Sequence, residues 1–468
     1  AMTDNAYTKQ PNDATQNIGN GSYSTADPYV KKVWDGRYTG IRMCNELLEN
    51  IDRVPDLDPE LKKRYIGEAK VLRAYNYYEL YTKFGDVPYT TKVLSIKESM
   101  SIARTAKATV IANVLADLDE VINGNYLPTS YDADNKGRIT RWAAMAIKAK
   151  IYLFEGNWTQ VKNITSTIMT EGGFKLFESY AGLFEIANEY NSEVILDAQY
   201  RPTSREHQMM YVFLPPTLGG YSQLSPLQEL VDSYIMLDGK TIKETGTSFD
   251  ESHPYANRDP RLKATVMYAG NSYTLADGTE VVINCEKGEG KDGYGVGSDC
   301  SATGYYIKKY WDNTYRATLY SGLNPILIRY ADILLMNAEA LAELGELDKT
   351  AWDATIKPIR DRAGFTLASA LEFPEGASKD KLIEIVRNER RSELALEGHR
   401  HKDIIRWRIA DNVLNGWCHG LKTNDVVGTD DGYVRVENRT FNANRHYLWP
   451  IPQAERDLNG NLEQNPNW

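Results

Sequence analysis

The densest run of ionisable side chains lies between Arg387 and Arg406, where Glu389, Glu393, Glu397, His399, His401 and Asp403 could serve as acids, bases or metal ligands. Their spacing argues for another role. Glu389, Glu393 and Glu397 recur at every fourth position and share one face of a helix, interleaved with Arg390, Arg391 and Arg400. That pattern predicts a solvated or semi-buried ion-pair network that stitches helices together. His399 and His401 would point to different faces, with no third ligand spaced for zinc. Glu68 and Arg73 are expected to pair with neighbouring helices in the same way. No Gly-x-Ser-x-Gly, P-loop or dinucleotide fingerprint is present, and no loop shows a motif for the paired carboxylates that glycoside hydrolysis uses.

Stacking chemistry is better represented. Tyrosine numbers 31 against 10 Phe and 9 Trp, and a tyrosine can contact a partner with its ring while its hydroxyl stays wet. The stretch Trp311-Asp312-Asn313-Thr314-Tyr315-Arg316, followed by Tyr320, sets rings among polar partners within one loop. Sugars present C–H faces that stack on such rings, and their hydroxyls require Asn, Asp, Gln or Arg at the rim. Trp311, Asp312, Asn313, Tyr315 and Tyr320 are therefore the first candidates for ligand contact. Tyr294, and Tyr23 with Asn20, come next; Tyr221 with Gln223 form a fourth group. For any single ring the competing reading is packing on its own loop. Trp34, Trp142, Trp158, Trp352 and Trp407 fall at helical core spacing and are assigned to packing.

The 54 Lys and Arg against 64 Asp and Glu give a net charge of −10, which argues against nucleic acid and suits a neutral small ligand. No apolar stretch reaches the length of about 18 residues that reads as a membrane span, and no signal peptide is evident. The opening Ala1-Met2 reads as a cloning remnant. Cys44, Cys285, Cys300 and Cys418 lack metal-binding spacing. Cys285 and Cys300 bracket a Gly-rich loop and could close a disulfide in an oxidising compartment, whereas Cys44 and Cys418 are expected as buried small hydrophobes. No cofactor is implied; whether calcium supports a loop such as Asp430-Asp431-Gly432 stays open.

These residues must be positioned by helices. The first 27 residues read as irregular. Asp27-Pro28 starts a helix with apolar positions Val33, Trp34, Tyr38, Ile41, Cys44, Leu48 and Ile51, and a second runs from about Asp58 to Phe84, ended by Gly85 and Pro88. Segments Ala143–Met169 and Ala331–Asp361 share a plan in which Gly156 aligns with Gly345, the Gly-turn pattern of tetratricopeptide repeats. Strand-like runs at Glu193–Tyr200, Ala264–Tyr268, Val281–Cys285 and Gly304–Tyr310 are separated by turn residues. The expected fold is all-α, a tetratricopeptide-like scaffold of about four helix pairs. Within a single unit over 1–468, helix pairs fill 28–171, an irregular mixed α/β ligand-binding insertion fills 172–325, helices resume over 326–411, and 412–468 is loop followed by a docked cap.

That cap is a patterned ending. Trp449-Pro450-Ile451-Pro452 forbids a helix, and Asn/Gly/Pro turns then alternate with Leu458, Leu462 and Trp468. An unstructured terminus would not keep such anchors exposed.

The same run resembles the C-terminal hallmark of the SusD-like (RagB/SusD) family. Further blocks follow in that family's order: Trp34 to Ile41 with Asn45, Glu68-Ala69 to Pro88, Arg258-Asp259-Pro260-Arg261-Leu262, Ile328 to Ala340, and Arg387 to Trp407. The resemblance spans nearly the whole chain. It implies a non-enzymatic, lipid-anchored protein on the outward face of the outer membrane of Bacteroidetes, with the lipid on an N-terminal Cys absent from this chain. Such a protein binds an oligosaccharide or polysaccharide and passes it to a SusC-like TonB-dependent transporter. Surface binding of peptides or another nutrient with the same transporter, or a tetratricopeptide protein-interaction scaffold, are the alternatives, and a hydrolase comes last.

Overall fold

The computed structural model describes residues 1–10, 14–314 and 319–468. Helices dominate them, and the strands form small sheets of two or three. The chain divides into two compact units, one of residues 1–20, 169–403 and 412–440, the other of residues 21–168, 404–411 and 441–468.

In the second unit, local capping sets where helices start. The Asp27 carboxylate accepts hydrogen bonds from the Tyr29 and Val30 amides at the start of helix Pro28–Asn50, and Asp58 accepts from the Leu61 amide at the start of Pro59–Phe84. Gly85, at φ +70°, ends the latter. The two helices pack together, with Trp34 edge-on to Phe84 at 5.1 Å. Helices Lys107–Asn123 and Arg141–Phe154 extend the layer. Arg73 bonds Asp117 and Asn45, and Glu68 takes both its bonds at 3.0 Å from Arg138, so both residues join neighbouring segments as their positions suggested.

The C-terminal run docks on this unit. Trp449 and Ile451 are buried; the Trp449 ring lies edge-on to Phe84 at 5.8 Å. Its amide donates to the Lys83 carbonyl at 2.7 Å. Asn465 donates to the carbonyls of Phe84 and Trp449, and the Gln464 amide group brackets Ile451 through both its backbone groups. These side-chain amides stand in for a strand partner and satisfy backbone groups that would otherwise be buried unpaired. Leu458, expected among the anchors, is exposed.

In the first unit, helices Tyr330–Leu344, Lys349–Ala363 and Lys379–Glu393 enclose a core of Leu334, Leu335, Trp352, Ile356, Ile359 and Val386. Gly345 turns the first of them at φ +73°. Strands Val194–Asp197, Val266–Met267 and Tyr306–Ile307 fall within the runs the sequence marked, and Glu280–Val282 overlaps only the first two residues of Val281–Cys285.

Two expectations are corrected. The N-terminal segment is not irregular: Ala6–Thr8 pairs antiparallel with Leu224–Pro226, and Ala14–Asn20 is helical. The stretch read as loop after residue 412 carries a three-stranded sheet in which Tyr433–Arg439 lies between Thr429–Asp430 and Gly416–Lys422. At Cys285 and Cys300, where the sequence left a disulfide open, the thiols are free, and all four cysteines are buried. Cys300 donates its thiol to the Lys291 carbonyl at 3.3 Å, and the loop it shares with Cys285 is closed by backbone bonds from Tyr294 to Cys285 and from Gly288 to Tyr294. Trp158 is half-buried, while Trp34, Trp142, Trp352 and Trp407 are core.

Candidate ligand-binding site

The charged run that could have been an active centre is a structural plug. Glu393 bonds Arg261 at 2.9 Å, Arg329 at 2.6 Å and Arg362; Glu389 pairs with Arg261 and Arg360 at 2.7 Å each. Glu397 pairs with Arg329 and Lys309, Glu193 with Arg329 and Arg362, and Asp259 with Arg261. The five cations, Arg261, Arg329, Arg360, Arg362 and Lys309, match the five carboxylates, Asp259, Glu193, Glu389, Glu393 and Glu397, and their side chains are almost wholly buried. The sequence anticipated the network but not its depth. Burial alone would raise the Glu393 carboxyl, yet Arg362, Arg329 and Arg261 hold it well below the usual range. Burial pushes the Lys309 ammonium down to about 8 against the pull of Glu397. Every group is engaged with another and none faces a cavity among the described pockets. Asp430, in the loop weighed for calcium, already accepts from Arg435 and from the His419 ring.

The aromatic candidates separate into those the fold uses and those it presents. Tyr23 is only 4 % exposed, its ring 4.8 Å from Trp468 and 5.1 Å from His446, so it belongs to the bed of the C-terminal cap. Asn20 donates to Glu437 at 3.2 Å at the end of its helix, and lies in the other unit. Asp312 is 1 % exposed: it accepts from the Thr314 amide and hydroxyl and from the Ser321 hydroxyl, closing the base of its own loop. Asn313 and Gln223 are half-buried, and the Gln223 carbonyl accepts from the Lys9 amide. Tyr315 lies outside the described residues.

Two rings, Trp311 and Tyr211, pack on one hydrophobic cluster of Met210, Leu214, Met267, Tyr273, Ile283 and Leu319, and two more, Tyr221 and Tyr320, adjoin residues of that group. Trp311 packs on it, 5.0 Å from Tyr273, with its indole N–H donating to the Thr274 carbonyl at 2.8 Å. Tyr211 packs on it too, and Tyr221, 38 % exposed, lies against Tyr211 with ring centroids 4.3 Å apart and planes tilted by 32°. Tyr320, 43 % exposed, follows the buried Leu319. The structure thus joins two loops that the sequence treated separately. It adds Tyr211, which sits in the short helix Met209–Phe213 ahead of Pro215-Pro216 and carries no local sign of exposure.

At the end of the segment that reaches Cys285 lies a cleft of about 580 Å³, within the roughly 300–1,000 Å³ usual for small-molecule sites. Tyr255, Tyr305 and Gln228 line it, with the Tyr305 hydroxyl donating to Gln228 and lying 3.2 Å from that of Tyr255. Tyr255 stacks on Tyr268 at 4.1 Å. Gly304, at φ +76°, borders the cleft where any Cβ would run into Leu421. Tyr294, half-buried, packs on the adjoining cluster around Tyr305. None of Tyr255, Tyr268 or Tyr433 stood out in the sequence, where they sit singly among turn residues.

Comparison with known proteins agrees with this architecture. Residues 182–468 match the model of the SusD family, and residues 1–153 match a model described as starch-binding associating with outer membrane. The chain belongs to the SusD family. It is 28% identical over 439 residues to SusD-like protein P25 of Formosa agariphila, covering 86% of this chain and 77% of that one. Among solved structures, a SusD-like carbohydrate binding protein from Bacteroides fragilis superposes with a TM-score of 0.88 at 28% identity, covering 99% of this chain and 91% of that one. A laminarin binding SusD-like protein gives a TM-score of 0.74 at 25% identity, covering 100% and 93%. No helix among the described residues is long and apolar enough to cross a membrane.

Proposed function

We infer that this protein is a binding protein rather than an enzyme, and that it captures an oligosaccharide or polysaccharide on the outer-membrane surface for delivery to a SusC-like TonB-dependent transporter. The observation that carries the reading is the group of rings at one cluster: Tyr211 and Trp311 packed on the same apolar bed, with Tyr221 against Tyr211 at 4.3 Å. Rings held by a core keep their faces in a fixed orientation, so stacking on the C–H face of a sugar costs little side-chain ordering. The carbohydrate-binding relative at 28% identity and the laminarin-binding one at 25% support the same ligand class. The ionisable groups support the absence of catalysis, because the densest carboxylate cluster is neutralised and buried. Lipid anchoring, and a tetratricopeptide-like character for the helices, complete this reading.

The test is affinity electrophoresis and calorimetry of the protein against a panel of polysaccharides and their oligosaccharides, with Trp311→Ala and Tyr221→Ala in parallel. Saturable binding weakened at least about tenfold in both variants is expected. Peptide binding with no response to any glycan would overturn the ligand class. Extraction of a native membrane without a co-purifying transporter would count against the delivery role.

A further inference from the structure

The cleft beside Tyr255 has no part in the group of rings around Trp311, and its chemistry is more selective. Its floor is uncharged: Gln228, nine-tenths buried, and the Tyr305 hydroxyl form a hydrogen-bonded pair, and the Tyr255 hydroxyl stands 3.2 Å from that of Tyr305. These groups bear several donors and acceptors but no formal charge, so they suit the hydroxyls of a neutral ring. Two ion pairs stand at the mouth, Lys422 with Glu251 at 3.1 Å and Lys287 with Asp425. Each lysine is therefore already neutralised. Lys422 lies 5.3 Å over the Tyr433 ring, which ties that aromatic wall to the same pair. Glu286 and Glu289, both exposed, add uncompensated negative charge at the rim. Among the described lining residues an anionic ligand would meet carboxylates and no cation without a carboxylate partner, whereas a neutral one would meet tyrosine rings and amide or hydroxyl partners.

We propose that this cleft is a second saccharide subsite, separate from the rings around Trp311, and that it accepts uncharged sugar units while rejecting uronate or sulfated ones. The proposal rests on the carbohydrate reading above. Cys285 lines the cleft and also belongs to the cluster of Tyr273 and Leu319, so the cleft and that cluster meet at Cys285.

The experiment is calorimetry of the intact protein with maltotriose, laminaritriose, xylotriose and mannotriose as neutral probes and trigalacturonate as the anionic one. Four chains are compared: the unaltered protein, Tyr433→Ala, Trp311→Ala, and the exposed pair Glu286→Lys with Glu289→Lys. At least one neutral trisaccharide is expected to bind, to lose roughly tenfold in affinity in Tyr433→Ala, and to bind more tightly than trigalacturonate by at least that factor. The double lysine variant, altered only at the surface, is expected to narrow that gap. Loss of neutral-sugar binding in Trp311→Ala with none in Tyr433→Ala, in a protein whose circular dichroism is unchanged, would overturn the subsite and leave the carbohydrate reading standing. Tighter binding of trigalacturonate than of any neutral probe would overturn the charge selectivity. No binding of any sugar would remove the carbohydrate reading together with the subsite. If Tyr433→Ala fails to fold, the double lysine variant decides: an unchanged neutral-to-anionic ratio overturns the proposal.

Discussion

The ion network around Glu393 and the ring-bearing loops around Trp311 and Tyr255 use their side chains in opposite ways. In the network every cation has a carboxylate and every carboxylate a cation, the ion pairs join six segments of chain, and the side chains are almost wholly buried. In the loops, rings are seated on a core by one face or edge, while Tyr221, Tyr320 and Tyr433 keep part of their surface open. The residues with the greatest latent chemistry thus hold the fold, and those with the least are left on its surface. A high density of acids and bases marks a site only when some of them remain unengaged.

The sharpest way to break this contrast is to remove one charge from the network. Glu393→Gln leaves Arg261, Arg329 and Arg362 around a neutral amide, with five buried cations facing four carboxylates. Unpairing a buried charge costs roughly 3–5 kcal/mol, so urea unfolding of the variant is expected to shift by that amount. A loss below about 1 kcal/mol, the value of an exposed pair, would mean that the network is wetter than its burial indicates.

A second effect is carried by pH. Asp4, in the same unit, is held by Arg400 at 2.7 Å and by Arg391 at 2.9 Å. Burial alone would raise its carboxyl, but the two guanidiniums lower it to about 2. The unfolded chain therefore takes up a proton at a pH where the folded one does not, and the stabilisation present above about pH 4 is lost as the pH falls toward 2. The loss expected from Asp4 is about 2 kcal/mol, and Glu389, Glu393 and Glu397, all lowered, act in the same direction. Asp4→Asn should flatten the acid limb of a stability-versus-pH profile; an unaltered limb would remove Asp4 from the account.

Legibility in the sequence followed the range of the interactions. Asp27-Pro28, Asp58-Pro59 and Gly85 act on their own helices, and their signals matched the observed ends. The C-terminal cap was legible because its prolines and tryptophans exclude every alternative but docking. The strand Ala6–Thr8 was not, since three residues become a strand only when Leu224–Pro226 lies beside them. Gly416–Lys422 and Tyr433–Arg439 pair with register shifts that blur their alternation. The four-residue spacing of the glutamates was visible, but Arg261, Lys309 and Arg329 come from distant segments, so the burial was not. Tyr23 looked like a loop ring because its partners, His446 and Trp468, lie at the far end of the chain. The sequence left a Cys285–Cys300 disulfide open because the two bracket one loop, and backbone bonds close that loop. Denatured, unreduced protein is accordingly expected to show four titratable thiols; two would restore the bridge.

The smallest effect tests the loop side of the contrast. Among the described residues Tyr320 is the most open of the rings on the Trp311 side, and it follows Leu319, which is buried in the cluster. Replacing it by alanine removes ring surface that water already reaches, so unfolding should change by less than about 0.5 kcal/mol. A ligand that stacks there would feel the change differently, because the face lost is the one the fold leaves open; affinity for the best polysaccharide should fall roughly tenfold while the unfolding midpoint holds. A network residue cannot behave in this way, since its partners are all internal and its removal is felt by the folded state first. If Tyr320→Ala lowered stability by as much as Glu393→Gln, the ring would belong to the core, and the division between groups that hold the fold and groups that face a ligand would fail at the loop where it is drawn most clearly.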